Sequence, residues 1–277
     1  MPREARYVFG RFNLIANYPD KRDYIHQGLT TEKSETSRGS KWIFLQAEEL
    51  ETPIGWVITG YLVKYKPSRD VETVDENAHN FADERIDDPV DAKSRFFLHV
   101  DSGLIAYNPV VGKISDSTFR ERFANLFERA HDNLFVDAEI QAISDEEAFF
   151  TALKNFTKIS RFKVQLHPSN PSISETWKHI HERLKKLEVS KYREDISIRD
   201  DGNGFGVRDD PDIEAKIRMA QDGYGRASVR GRVNNTSKSI HTSKEPISAV
   251  ITKDPEEAQS IFERLIDEFK KILDRIK

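Results

Sequence analysis

The strictest constraint on this chain lies between Gly223 and Val233. Tyr224, Arg226, Ser228, Arg230 and Arg232 fall on one parity, and Gly225, Ala227, Val229, Gly231 and Val233 on the other. A period of two sets successive side chains on opposite faces of a strand. One face is then cationic, with a tyrosine at its start, and the other is small and apolar. Such a strand belongs in a sheet with one face toward a core and one toward water. The basic character runs on to Lys244: from Gly223 the stretch holds Arg226, Arg230, Arg232, Lys238 and Lys244 and no acid.

A second alternating stretch precedes it. Phe162, Val164 and Leu166 share one parity, and Arg161, Lys163, Gln165 and His167 the other, before Pro168 stops the run. If the two strands share a sheet, their polar faces align. The shared face would gather Arg161, Lys163, Gln165, His167, Tyr224, Arg226, Arg230 and Arg232, with Lys238 close by in the basic stretch that follows. Guanidinium groups pair bidentately with phosphate, and an aromatic among them stacks on a base. The bland alternative is a solvated sheet face whose cations pair with nearby acids.

Charge is unevenly spread. Residues 1–157 carry 19 Lys+Arg against 27 Asp+Glu, and residues 158–277 carry 24 against 20, within a net charge of −4. No half is strongly basic, so a polyanion site has to be a local patch. This shift divides the 277 residues into a β-rich N-terminal region, 1–157, ending in two helices, and a C-terminal β-α-β-α-β-β-α region, 158–277. The absence of cysteine excludes disulfides, zinc–thiolate sites and cysteine catalysis. No leader-like start and no long apolar window occur, which points to a cytoplasmic protein with no membrane contact.

Elsewhere the chain reads as α+β, with antiparallel or mixed sheets and amphipathic helices packed on one face. Strands are expected over 5–15, 41–45, 55–65, 95–100, 104–107 and 134–143. The polar stretch 20–40 reads as a loop, and Glu48, Glu49 and Glu51 as an acidic turn. The acid-rich stretch 70–91 reads as a solvated edge strand or loop, because its spacing matches no metal-binding loop. Helices are expected over 116–131, after a capping box at Ser144 and Glu147, and after a second box at Ser172 and Glu175 through Leu187. Asp210 with Pro211 opens another helix, and Gly223 ends it. The strand after Asn234-Asn235 is expected to run from Ile240 to Ile251. A last amphipathic helix starts at Asp254-Pro-Glu-Glu and continues to the C-terminus.

Few residues suggest catalysis. The Gly202-x-Gly-x-Gly206 turn lacks the dinucleotide-binding order, and the acids around it repel phosphate. His99 and His167 alternate with apolar strand residues and are expected on the surface or in a groove. His179 and His181, two apart on a helix, point in different directions and share no metal. A metal-independent ribonuclease could use His167 and His241 as acid and base beside the basic strands. No metal site and no cofactor are expected.

Phe96-Phe-Leu-His-Val with Gly103-Leu-Ile-Ala-Tyr, and Ala220-Gln-Asp-Gly-Tyr-Gly225, are similar to segments of uncharacterised bacterial proteins. Those belong to a domain-of-unknown-function type sometimes found beside anti-phage defence or toxin–antitoxin genes. The resemblance implies a bacterial protein of that kind and brings no active-site residue. The leading expectation is a non-catalytic component that binds or senses RNA or single-stranded nucleic acid through the basic face. A ribonuclease on the same surface and a protein–protein adaptor using the acidic N-terminal region stand as alternatives.

Overall fold

The computed structural model describes residues 3–16, 18, 20–75, 80–133, 136–168, 174–244, 246–253 and 258–275. β1 (Arg3–Ile15) is followed by α1 (Lys21–Thr30), β2 (Glu35–Ser37), β3 (Ser40–Thr52), β4 (Gly55–Tyr65), β5 (Arg69–Asp75), β6 (Asn80–Ile86), β7 (Val90–His99) and β8 (Leu104–Tyr107). Next come α2 (Asp116–Ala130), β9 (Asp137–Ala142), α3 (Glu146–Lys154), β10 (Lys158–Leu166), α4 (Lys178–Lys186), β11 (Tyr192–Ser197), α5 (Phe205–Asp209) and α6 (Pro211–Met219). A π-turn, Ala220–Tyr224, leads into β12 (Gly225–Val233), β13 (Thr236–His241), β14 (Ser248–Lys253) and α7 (Ala258–Arg275). The fold class is α+β, built on antiparallel pairing.

The large sheet runs β14-β1-β8-β7-β4-β3-β2, and β9 also pairs with β1. β1 organises it. Residues 3–8 pair with β14 and residues 10–15 with β9, while residues 8–11 pair with β8. The small sheet runs β11-β10-β12-β13, and β5 with β6 form a separate hairpin. The hairpin holds Asp70, Glu72, Asp75, Asp83 and Glu84 of the acid-rich stretch, whereas Asp91 lies in β7 and pairs with Lys64 and Lys113.

Alternation along β1 feeds two cores. Val8 and Phe12 join Ile25 and Leu29 of α1 and Phe119, Phe123 and Phe127 of α2. Phe12 meets Phe123 and Phe127 edge-on, with centroids 5.5 and 5.0 Å apart, a favoured aromatic geometry. Tyr7 and Phe9 join the other core, which takes in α3, α4, α6, α7 and the inward face of the small sheet. β14 returns to the large sheet, and one core spans both halves.

Several local expectations need correcting. The polar stretch 20–40 contains α1 and β2: the Asp20 side chain caps α1 by accepting from the Asp23 N–H, and Ile25 and Leu29, one turn apart, are buried. Glu48, Glu49 and Glu51 lie inside β3, which continues past a register shift between Leu45 and Glu48. Asp145, not Ser144, caps α3 by accepting from the Glu147 and Ala148 N–H groups. The return strand expected over 240–251 is two strands in different sheets, β13 on β12 and β14 on β1. The capping boxes' remaining member, Ser172, and the start at Asp254 lie outside the described residues.

Candidate nucleic-acid interface on the small sheet

Pairing between β10 and β12 sets Arg161 opposite Arg230, Lys163 opposite Ser228, and Gln165 opposite Arg226. β11 adds Arg193 beside Gln165 and Asp195 beside Lys163. β13 adds His241 beside Ser228, Ser239 beside Arg230 and Ser237 beside Arg232. The two alternating strands are thus neighbours in register, and their polar faces form one surface. The opposite face carries Phe162, Val164, Leu166, Ala227 and Val229, all buried. Gly225 and Gly231 allow this tight pairing: a Cβ on either would stand 2.0 Å from a backbone oxygen of β10, that of Gln165 or Lys158.

Arg161, Lys163, Arg193, Arg226, Arg230 and Arg232 are exposed on this surface. Asp195 is the carboxylate among them. Arg161 grips it with two guanidinium nitrogens, and Lys163 Nζ lies 3.4 Å from its Oδ2. The Arg161 hydrogen bond holds the Asp195 carboxyl down to about 2. Arg226 NH2 and Arg193 Nε donate to Gln165 Oε1 at 3.2 and 3.3 Å. Among the described residues no carboxylate pairs with Arg230 or Arg232. A groove of about 570 Å³ crosses this face; its lining includes Lys163, Arg193 and Arg226, the carboxylates of Glu194 and Asp195, and His241.

Tyr224 is not on this face; it is fully buried. The parity breaks at the glycines around it: Gly223 has φ 84°, and Tyr224 ends a π-turn rather than starting a strand. Its ring lies under the Arg11 guanidinium, 4.2 Å from centroid to Cζ, and 5.2 Å from the Trp177 ring. The surface therefore holds guanidinium groups without the stacking aromatic. Lys238 is exposed but stands opposite Gly231, on the parity of the apolar face, and lines a small cavity with Asp145.

The histidines also depart from expectation. His99 and His167 are buried, at 3 and 1 % exposure. His99 Nε2 donates to the Ile54 carbonyl at 2.7 Å, so its Nδ1 accepts from Ser102 Oγ, also at 2.7 Å. Burial pulls its pKa down. His167 lies just past β10, its backbone N–H donates to the Tyr224 carbonyl, and its Nε2 stands 2.9 Å from Glu139 Oε2. Burial pushes the Glu139 carboxyl up, but the His167 hydrogen bond and nearby cations outweigh it, leaving it below its ordinary value. His241 is exposed across the groove. It stands two strands from β10 and level with Lys163, four residues before His167. At about 3.3 Å per residue and about 4.8 Å per strand, the two histidines are roughly 16 Å apart. They do not converge on one phosphorus. Among the described residues no group of His, Asp and Glu is arranged to hold a metal ion.

What positions the basic strand is the π-turn before it. Asp222 Oδ2 accepts from Trp177 Nε1 and Oδ1 from Arg275 NH2, both at 2.8 Å. The Asp222 carbonyl accepts from Arg11 Nε at 2.8 Å, and the Gly223 carbonyl from Asn13 Nδ2 at 2.8 Å. A buried charge held this way is costly to disturb. The turn ties β1, α4 and α7 to the first residue of β12, so the segment Gln221-Asp-Gly-Tyr-Gly225 is the junction of the two sheets. Its role is invisible to spacing rules, because its partners lie 45 to 211 residues away.

The molecule is thus an α+β protein whose two larger antiparallel sheets join at a buried turn, with a cationic face on the four-stranded one. The chain belongs to the family described as DUF4747, a domain of unknown function, whose model matches residues 20–273. No curated protein matches it. Among the described residues no helix is long and apolar enough to cross a membrane.

Proposed function

We propose that the small-sheet face binds the phosphate backbone of single-stranded nucleic acid, and that the protein is a non-catalytic binding or sensing component. The observation that carries this reading is the set of six exposed cations on one face with, among the described residues, one exposed carboxylate between them, Asp195. Guanidinium groups suit phosphate because their paired donors match its oxygens. With Tyr224 buried, phosphate contact rather than base stacking supplies the affinity. The bacterial defence-type setting and the cytoplasmic location belong to this proposal and rest on the sequence resemblance.

The test is binding of a mixed-sequence single-stranded RNA and of a DNA duplex at two salt concentrations, followed by a gel of the recovered RNA. Affinity for the single strand that falls steeply with salt is expected, with the RNA intact in EDTA. Cleavage lost on His241→Ala would replace this reading with the ribonuclease. No binding at low salt would turn the face into an ordinary solvated surface and favour a protein partner on the acidic N-terminal region.

A further inference from the structure

Two grooves meet at Arg226. One crosses the small sheet; the other, about 430 Å³, lies between α2 and β9, and its lining includes Asn125, Glu139 and Gln141. Arg226 and Ser243 line both. The chemistry changes from one to the other. The first gathers Lys163, Arg193 and Arg226 with Glu194 and Asp195; the second sets Glu121 and Glu139 with the amides Asn125 and Gln141, and its cations are Arg120 and Arg226.

Glu139 is fixed in place. Its Oε2 faces His167 Nε2 at 2.9 Å, its Oε1 accepts from the Gln141 amide, and Gln165 Nε2 lies 3.5 Å from Oε2. Gln165 in turn is held by Arg193 and Arg226. The carboxylate still keeps 28 % of its side chain exposed. An ionised carboxylate accepts hydrogen bonds and donates none, and it repels phosphate at the end of a cationic track. It suits a neutral, donor-bearing group attached to a phosphate. A base with an exocyclic amine is such a group, and carboxylates accept from cytosine N4. Thymine and uracil set their one ring N–H between two carbonyl oxygens, which a carboxylate repels.

We propose that the α2–β9 groove is a base-reading subsite, in which Glu139 accepts from the exocyclic amine of an unpaired base while Arg226 holds the adjacent phosphate. This rests on the phosphate-binding reading of the small sheet. It requires a single strand, because a paired base has already committed that amine.

The experiment is fluorescence anisotropy with oligo(dC) and oligo(dT) of equal length at one salt concentration. The proteins are the full chain, Glu139→Gln, and the double variant Arg230→Glu with Arg232→Glu. Oligo(dC) is expected to bind the full chain about tenfold more tightly than oligo(dT). Glu139→Gln should bring the two within about twofold, while the double variant weakens both and keeps their ratio. Equal affinity in the full chain, or a ratio that survives Glu139→Gln, overturns the subsite and leaves phosphate binding standing. Failure of both oligonucleotides to bind at low salt overturns both readings. Should Glu139→Gln melt below the assay temperature, the ratio in the unsubstituted chain alone decides.

Discussion

Reversing Arg230 and Arg232 to glutamate isolates the phosphate contribution of the small-sheet face. Both side chains are exposed, and neither has a carboxylate partner among the described residues. Of the six cations on the face, Arg161 and Lys163 share Asp195, which leaves a net charge equivalent to about five phosphate contacts. For a single strand each contact contributes about −0.7 to the slope of log affinity against log salt, giving about −3.5. Between 50 and 200 mM salt the affinity then falls about a hundredfold. Removing two contacts lowers the slope to about −2.1, and the two new carboxylates add repulsion at every salt concentration. The fold should be unaffected, because surface changes of this kind stay within about 0.5 kcal/mol. Arg230→Glu would also face Arg161 across the β10–β12 pair. Salt-titrated anisotropy reads the slope, and thermal melting controls for folding. An unchanged slope in a folded variant refutes the assignment of the phosphate track to this face.

Asp195→Asn should release Arg161 and Lys163 for phosphate, tighten binding and steepen the slope by about 0.7; weaker binding in the same titration would contradict this. Asp222→Ala leaves Arg275 and the Trp177 indole N–H without their buried partner. A loss of about 3–5 kcal/mol in denaturant unfolding is expected, and a loss below about 1 kcal/mol would show that the turn does not tie the sheets together. Because the Glu139 carboxyl is held below its ordinary value of 4.5, the unfolded chain binds its proton first as pH falls. Its stabilisation is therefore complete above the ordinary value and lost as pH drops through the lowered one. Acid unfolding of Glu139→Gln should show a shallower pH dependence in that window, and a superimposable pH profile would remove this coupling.

Much of the small sheet was legible because strand parity is a local property. The alternation at 161–167 and 225–233 set the apolar faces inward and the guanidinium groups outward, and the Asn234-Asn235 turn, both residues at positive φ, joined β12 to β13. The stripe of Phe119, Phe123 and Phe127 likewise announced α2. Shorter signals failed. α1 buries only Ile25, Gly28 and Leu29, too few apolar residues to stand out from a polar stretch. Tyr224 shares the parity of the arginines, yet Gly223 turns the chain and sends its ring under Arg11.

The sequence by itself therefore determined which residues alternate, which helices are amphipathic, and that any anion site is a local cationic patch, since these follow from periodicity and charge along a few consecutive residues. The tertiary structure alone decided that the two basic strands are neighbours, that β13 and β14 separate into different sheets, that His99, His167 and Tyr224 are buried, and that Glu139 stands beside Arg226. Those outcomes depend on hydrogen bonds and packing between residues distant in the chain, whose register no local pattern encodes.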